Sequence, residues 1–315
     1  MIANPDASRD AHVNELHLLG VPPMTQYIGH VRRRVIGGDA LPEGRLIDQW
    51  RAAARHYEEI AVREAGEAEC ATIEPIAADR QPHIDNITAA PDFEEGFGSI
   101  PVAFGMVELD RLVVFQQRVS LDHAARFSRA IAAADNDRAR EDALFGICLP
   151  LEADPPPVVS CNAGSGKYVF QSDLADLRAF SPRLISDATA RTLLTSNGHA
   201  QAGIAVPIGF GARHLNVVRL AGRMVLNNGY HRAYALREAG FTHVPCVIQA
   251  ISHTSELAYA GGSSLIDNFD QLFEMPRPPL FRDFFDPQLT TRLKLQRTRK
   301  QVLISVSIET LRVPD

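Results

Sequence analysis

The strongest periodic pattern of apolar and polar positions lies between residues 46 and 64. Apolar side chains recur there at intervals of three and four, and charged side chains occupy the positions between them. This spacing is typical of one face of an α-helix, so the segment predicts an amphipathic helix packed against a core. Trp50 and Tyr57 belong to the apolar stripe, and we therefore expect them to pack rather than to line a ligand pocket.

Shorter segments show the alternation at a period of two that is typical of strands. The segment from Phe104 to Phe115 is predicted as a strand, and Ser120 is predicted to cap a helix that runs to about Ala134. Near the N-terminus, by contrast, the segment from Val13 to Gly20 is predicted as a short helix or turn that ends before two prolines.

Two hairpins are expected in addition. The apolar runs 158–161 and 168–170 flank a glycine-containing turn and predict the first hairpin. The β-rich runs 290–295 and 301–308 are separated by Arg297, Arg299 and Lys300. They predict a C-terminal hairpin with a basic tip.

Residues 215–248 form the most informative segment for function. The apolar runs 215–220 and 223–226 flank the dipeptide Ala221-Gly222 and predict a hairpin that turns there. The sequence Asn228-Gly229-Tyr230-His231-Arg232 follows, at the start of a predicted helix. Amide groups at a helix N-terminus and a nearby guanidinium favour phosphate or carboxylate. The segment therefore predicts an anion site. The alternative is an ordinary turn, with His231 capping the helix and Arg232 as a surface charge.

Composition narrows the classes of function that this site can serve. Of the 315 residues, 45% are hydrophobic and 22% are charged, which is typical of a globular protein. The formal net charge of -6 disfavours a surface that neutralises nucleic-acid phosphates. The four cysteines lack the spacing of a zinc site and are expected to be free thiols. No apolar run reaches the length of a membrane span, so we expect a cytoplasmic protein without a membrane partner.

The strand, turn, helix and strand around Asn228 to Arg232 resemble the ParB/sulfiredoxin superfamily, whose members carry related G-x-x-R turns that contact a nucleotide phosphate. The resemblance extends upstream, where residues 106–117 are similar to the first strand and turn of that fold and residues 121–131 to its first helix. It implies an α/β (α+β) fold with a small mixed sheet and helices.

The same resemblance implies a division of the chain into three parts. The ParB/sulfiredoxin-like domain would cover about residues 100–252, with an insertion at about 136–213. A helical N-terminal extension, residues 1–99, would precede it. A C-terminal extension with a β-hairpin, residues 253–315, would follow.

The resemblance also implies roles for the residues of the turn. Asn228, Gly229 and Tyr230 would bring backbone amides to a phosphate, and Gly229 would allow its close approach. His231 would be a donor that changes charge near neutral pH, and Arg232 would be a fixed positive charge. The implied ligand is ATP, ADP, CTP or another nucleoside triphosphate, with or without Mg²⁺. The acceptor would be a small molecule or a protein that the sequence does not identify.

Three charged residues outside the turn are candidates for the same site. Glu108 and Asp110 alternate with apolar residues on a predicted strand, so they would share its polar face and join His231 and Arg232 as catalytic candidates; solvated strand charges are the alternative. Lys167 ends a glycine-containing segment that lacks the full P-loop pattern, and it is a candidate second charge for the ligand. No metal site is predicted.

Departures from the superfamily limit the activity that it implies. Tyr230 stands where sulfiredoxins have their catalytic cysteine, and the β-rich C-terminal segment stands where partition ParB proteins, whose turn reads G-E-R-R, have a helix-turn-helix domain. The turn is similar to D-G-x-H-R of the free serine kinases, but Asn228 replaces its acid. Gln116 and Gln117 stand where those kinases have a carboxylate.

The loss of these acids removes the obvious base for phosphoryl transfer. We therefore predict a nucleotide-binding protein, with phosphoryl transfer or NTP hydrolysis at the turn as an open question. The alternatives are a non-catalytic, nucleotide-responsive regulator and a ParB-like DNA-binding protein or nuclease.

Overall fold

The structure is a computed structural model that describes residues 12–152, 158–173, 177–185, 202–211, 213–260 and 263–310. Helices and strands both occur along this part of the chain, so the expected α+β class is confirmed. Among the described helices, none is both long and apolar enough to span a lipid bilayer.

The described helices and strands are numbered in chain order. The α-helices are α1 (Met24–Arg34), α2 (Glu43–Arg63), α3 (Gln81–Thr88), α4 (Pro91–Phe97), α5 (Leu121–Ala132), α6 (Asp137–Cys148), α7 (Tyr230–Glu238), α8 (Leu257–Ala260) and α9 (Ser263–Asp267). The strands are β1 (His12–Leu18), β2 (Ile73–Glu74), β3 (Val102–Glu108), β4 (Arg118–Ser120), β5 (Val159–Gly164), β6 (Lys167–Ser172), β7 (Arg178–Ala179), β8 (Arg183–Ile185), β9 (Gly203–Ala205), β10 (Ile208–Gly209), β11 (Asn216–Leu220), β12 (Arg223–Asn228), β13 (His243–Ala250), β14 (Thr290–Gln296) and β15 (Lys300–Ser305).

The described chain forms two compact units. The first contains the described residues between 1 and 152 and between 214 and 297, and the second contains those between 153 and 213 and from 298 onwards. The first unit thus combines part of the predicted N-terminal extension with the segment that starts α7. The insertion predicted at 136–213 would begin just before α6, which belongs to the first unit.

A five-stranded mixed sheet forms the centre of the first unit. Its order is β12-β11-β13-β3-β2, and β11 and β13 are its parallel pair. The hairpin of β11 and β12 turns at Ala221 and Gly222, whose φ angles of 52° and 83° suit a two-residue turn. Helix α7 then carries the chain to β13, because parallel neighbours need a crossover connection. The hairpin, helix and strand predicted within residues 215–248 are therefore confirmed.

Apolar side chains cover both faces of this sheet. Successive strand residues point to opposite faces, and accordingly Val217 packs into the largest core cluster whereas Val218 packs into a second one. Ala233 and Leu236 of α7 belong to the same cluster as Val217. Burial of each such Val or Leu side chain contributes about 1.5–3 kcal/mol, so the start of α7 rests on a well-packed scaffold.

The first unit contains a second sheet, with the order β14-β1-β4. The helix or turn predicted at 13–20 is wrong, because residues 12–18 form its central strand. Leu16 and Leu18 pack in the largest core cluster, while Glu15 and His17 are also buried. Because two polar residues of this strand are buried, the pattern of apolar and polar positions does not predict it.

The C-terminal hairpin predicted from residues 290–308 is also wrong. β14 pairs with β1 in the first unit, whereas β15 pairs with β6 in the second. The residues expected at its basic tip instead mark the point where the chain passes from one unit to the other. Two neighbouring β-rich segments resemble a hairpin in sequence, but the partners available elsewhere in the fold decide their pairing.

Helices predicted from periodicity and capping match more closely. The amphipathic helix predicted at 46–64 is α2. The helix predicted from Ser120 is α5, and Ser120 Oγ accepts a hydrogen bond from the amide of His123 at 3.3 Å. The strand predicted at 104–115 is shorter than expected, since β3 ends at Glu108 and a 3-10 turn follows.

Candidate functional site

Helix α7 begins at a glycine in crowded surroundings. Gly229 is the N-cap, with a φ of 109°, and none of the described side chains caps the helix. A Cβ atom at this position would lie 3.0 Å from Leu215 Cγ and 3.4 Å from Arg232 Nη2. The backbone therefore needs glycine both for its conformation and for its close neighbours. The amides of the first helical turn point toward this N-terminus, as an anion site requires.

Tyr230 ties the start of α7 to the segment that precedes β4. Its hydroxyl oxygen accepts hydrogen bonds from the backbone amides of Phe115 and Gln116 at 3.0 and 3.2 Å. The side chain is buried, and burial raises the pKa of Tyr230 well above its ordinary value. Its side chain is therefore an anchor in the core, and only its backbone lies at the helix start. The same bonds place the backbone of Gln116 beside the buried hydroxyl of Tyr230.

His123 and His231, in the first turns of α5 and α7, meet edge to face. Their ring centroids are 4.7 Å apart. Burial, followed by the charges of Arg126 and Arg232, lowers the pKa of His123 to about 4. Burial, with His123 and Arg232, lowers the pKa of His231 to about 3, although Glu15 acts in the opposite direction. Both rings are neutral at pH 7, which corrects the expectation that His231 changes charge near neutral pH.

Asn228 immediately precedes Gly229, and Arg232 follows it by three positions in the first turn of α7. Arg232 Nη1 is 3.4 Å from the carbonyl oxygen of Ile147, and its Nη2 lies beside Gly229. Asn228 Nδ2 donates to the carbonyl oxygen of His214 at 3.0 Å, so this side chain closes the turn. The result is a guanidinium held next to a helix N-terminus, which is suited to a phosphate group.

The two carboxylates considered as catalytic partners lie at the other end of α7. Asp110 accepts hydrogen bonds from Arg237 at 2.7 and 2.9 Å, and Glu108 lies 3.1 Å from Arg111 Nε. Arg237 follows His231 by six positions, which is roughly 9 Å along a helix. Because β3 ends at Glu108, the two acids do not share a strand face. The structure therefore does not bring them to the turn, contrary to expectation.

Lys167 belongs to the second unit, where it begins β6. The segment before it forms the predicted hairpin, with β5 and β6 antiparallel and positive φ angles at Gly164, Ser165 and Gly166. A strand follows the turn, whereas a P-loop is followed by a helix. The hairpin is therefore confirmed, and the role of Lys167 as a second charge stays a prediction.

A group of polar side chains that the sequence did not predict lies buried between β1 and α1. Glu15, His17 and His30 each offer one ligand atom, and these atoms lie within 4.8 Å of one another. Glu15 Oε1 is 2.8 Å from His30 Nε2 and 3.6 Å from His17 Nδ1. Burial alone would raise the pKa of Glu15, but the two histidines and Arg118 lower it to about 2.

The signal for this group is the Glu-x-His pattern of residues 15–17. In a strand, these two side chains share one face. In the helix or turn predicted for residues 13–20, positions two apart do not face each other. That prediction therefore gives no reason to expect a site shared by Glu15 and His17. His30 joins them only through the packing of α1, which the sequence alone does not reveal.

Comparisons with protein-family models, with curated proteins and with solved structures returned no significant match to this chain. The similarity of the turn to the ParB/sulfiredoxin superfamily therefore stays a prediction from the motif. A functional assignment depends on the geometry at the start of α7 and in the buried group of β1 and α1.

Proposed function

We propose that the protein binds a nucleotide through its phosphates at the start of α7. The observation that carries this proposal is the pairing of Gly229 with Arg232. The glycine opens the backbone with a φ of 109°, and the guanidinium lies beside it. The positive end of the helix dipole and the first-turn amides add donors that favour a phosphate. The resemblance of the turn to the ParB/sulfiredoxin superfamily favours a nucleotide over a simple anion.

The positions of the acids favour binding over phosphoryl transfer. Asp110 is paired with Arg237 and Glu108 with Arg111, away from the start of α7. Gln116, whose backbone contacts the Tyr230 hydroxyl, has no carboxylate to act as a base. A nucleotide-responsive regulator is therefore a better fit than a kinase, and we place NTP hydrolysis second.

Thermal-shift measurements with ATP, ADP, CTP and GTP, each with and without Mg²⁺, test the proposal. Binding to the folded state raises its apparent stability, so at least one nucleotide is expected to raise the Tm of the wild type. Arg232→Ala should lose this rise. Arg237→Ala is the matched control, because it removes the same side chain from the other end of α7 and should keep the rise.

Two results would contradict the proposal. One is the absence of a Tm shift with any nucleotide at millimolar concentration. The other is an equal shift in the wild type and Arg232→Ala. Inorganic tripolyphosphate, tested in parallel, separates a site for a nucleotide from a site for any polyanion. If a nucleotide binds, measurement of released phosphate separates hydrolysis from simple binding.

A further inference from the structure

The buried group of Glu15, His17 and His30 has the donor set of a transition-metal site. Two imidazoles and one carboxylate are ligands that Zn²⁺ and related first-row ions prefer. We propose that these three residues bind one divalent transition-metal ion, with Zn²⁺ as the reference ion. This site is separate from the nucleotide site at the start of α7, and it does not depend on that proposal.

His17 gives the strongest support for a ligand. Its exposed fraction is 2%, and neither of its ring nitrogens has a hydrogen-bond partner within the described part of the chain. Leaving a buried polar group unsatisfied is costly, because its desolvation is not compensated, so native structures rarely do so without a reason. A metal ion bonded to one of these nitrogens would give that nitrogen a partner.

The spacing of the ligand atoms fits a single ion. His17 Nδ1 and Glu15 Oε1 are 3.6 Å apart, which is too far for a hydrogen bond. Two ligands bonded at about 2.0–2.1 Å in a tetrahedral arrangement lie about 3.4 Å apart. His30 Nε2 is already 2.8 Å from the same carboxylate oxygen, so modest side-chain shifts would bring all three atoms to one ion.

The fold holds the ligands in place before any ion binds. β1 is paired on both sides, with β14 and β4, so the backbone of Glu15 and His17 is fixed. The rings of His17 and His30 stack at a centroid distance of 5.2 Å, and the ring of Tyr27 lies 5.4 Å from that of His17. Such packing restricts the side-chain rotamers, which favours a preformed site.

Arg118 competes with a metal ion for this site. It lies opposite His17 in β4, and its Nη1 is 3.2 Å from His30 Nδ1. A guanidinium only donates, so His30 Nδ1 accepts this bond and Nε2–H donates to Glu15. Metal binding at His30 Nε2 requires that proton to move to Nδ1 and the exposed Arg118 side chain to turn away. Removal of Arg118 is therefore expected to tighten metal binding.

Titration calorimetry of the metal-free full chain with Zn²⁺ tests the site. We expect one equivalent in the wild type, a loss of that equivalent in His17→Phe, and weaker binding in Glu15→Gln. Arg118→Ala should bind more tightly, on the order of tenfold, since a nearby positive charge has been removed. His12→Ala is the matched control, because it removes a histidine from the opposite face of the same strand and should bind like the wild type.

X-ray absorption of the zinc-loaded wild type identifies the ligands directly, so it tests the site even if a variant of a buried residue fails to fold. The expected first shell contains two imidazole nitrogens and a carboxylate oxygen. Circular dichroism establishes which variants are folded before they are compared. The proposal is overturned if the wild type takes up no Zn²⁺, if folded His17→Phe binds as the wild type does, or if the absorption spectrum lacks histidine ligands.

Discussion

The two ends of helix α7 are built differently, although each is flanked by a glycine with positive φ. At the N-terminus, Gly229 is crowded and the ring of His231 is neutral against a second histidine. At the C-terminus, no atom of the residues that the structure describes would crowd a Cβ at Gly240, and Arg237 pairs with Asp110 where both are partly exposed. Buried histidines with lowered pKa values mark the N-terminus as a candidate site, whereas the ion pair at the C-terminus complements the helix dipole.

Replacing each glycine in turn should produce the largest difference between the two ends. Both positions have positive φ, which costs a residue other than glycine about 1–2 kcal/mol. Gly229→Ala adds a collision with Leu215, which we expect to cost roughly a further 1–3 kcal/mol. Urea unfolding should therefore show Gly229→Ala as clearly less stable than Gly240→Ala. Equal losses would mean that the crowding at Gly229 relaxes freely.

Removing tyrosine hydroxyls from α7 tests how firmly its N-terminus is anchored. Tyr230→Phe leaves the amides of Phe115 and Gln116 without their acceptor, and we expect it to cost about 2–3 kcal/mol. Tyr234→Phe, one turn later, keeps the ring stacked on Phe285 and should cost about 1 kcal/mol or less. A larger loss in Tyr234→Phe, measured by chemical denaturation, would contradict this assignment of the anchor.

Lowering the pH should weaken the N-terminal end of α7 selectively. The pKa values of His123 and His231 lie at about 4 and 3 in the folded protein, below the ordinary value of 6.5, so the unfolded chain binds more protons between these values. Their contribution to stability is fully present above pH 6.5 and is lost as the pH falls toward about 4 for His123 and about 3 for His231. Each ring contributes at most about 1.4 kcal/mol per pH unit in that window.

His123→Phe should flatten this pH dependence. The variant has one fewer ring to protonate on unfolding, so its free energy of unfolding should fall less than that of the wild type between pH 6.5 and 4. His56→Phe provides a control, because His56 lies 2.8 Å from Asp286, away from this pair. Parallel curves for the wild type and His123→Phe would show that His123 is protonated as easily in the folded chain as in the unfolded one.

Breaking the ion pair at the C-terminal end should have the smallest effect. Asp110→Asn removes a carboxylate from a partly exposed pair, which typically contributes about 0.2–1 kcal/mol and less at high salt. We also expect Asp110→Asn to leave the nucleotide-induced Tm shift unchanged. If the shift disappears, the acid takes part in the site despite its distance from the turn.

Features determined by neighbouring residues were the most predictable from sequence. The spacing of apolar residues predicts α2, and the turn residues around Ala221 and Gly222 predict the β11–β12 hairpin, because these signals lie within one element. The neutral state of His231 was not predictable, since its cause is burial against α5. Likewise, the sequence pattern does not predict β1, because Glu15 and His17 are buried by elements distant in sequence.

The separation of β14 from β15 has a consequence for the order in which the chain folds. The third strand of the sheet of β5 and β6 is β15, which follows all the strands and helices from β11 to β14 in the chain. During synthesis, the edge of β6 that pairs with β15 therefore stays unpaired while the strands that complete the sheets of the first unit are made. Long-range pairing of this kind closes slowly, so the second unit is expected to be the later of the two to mature.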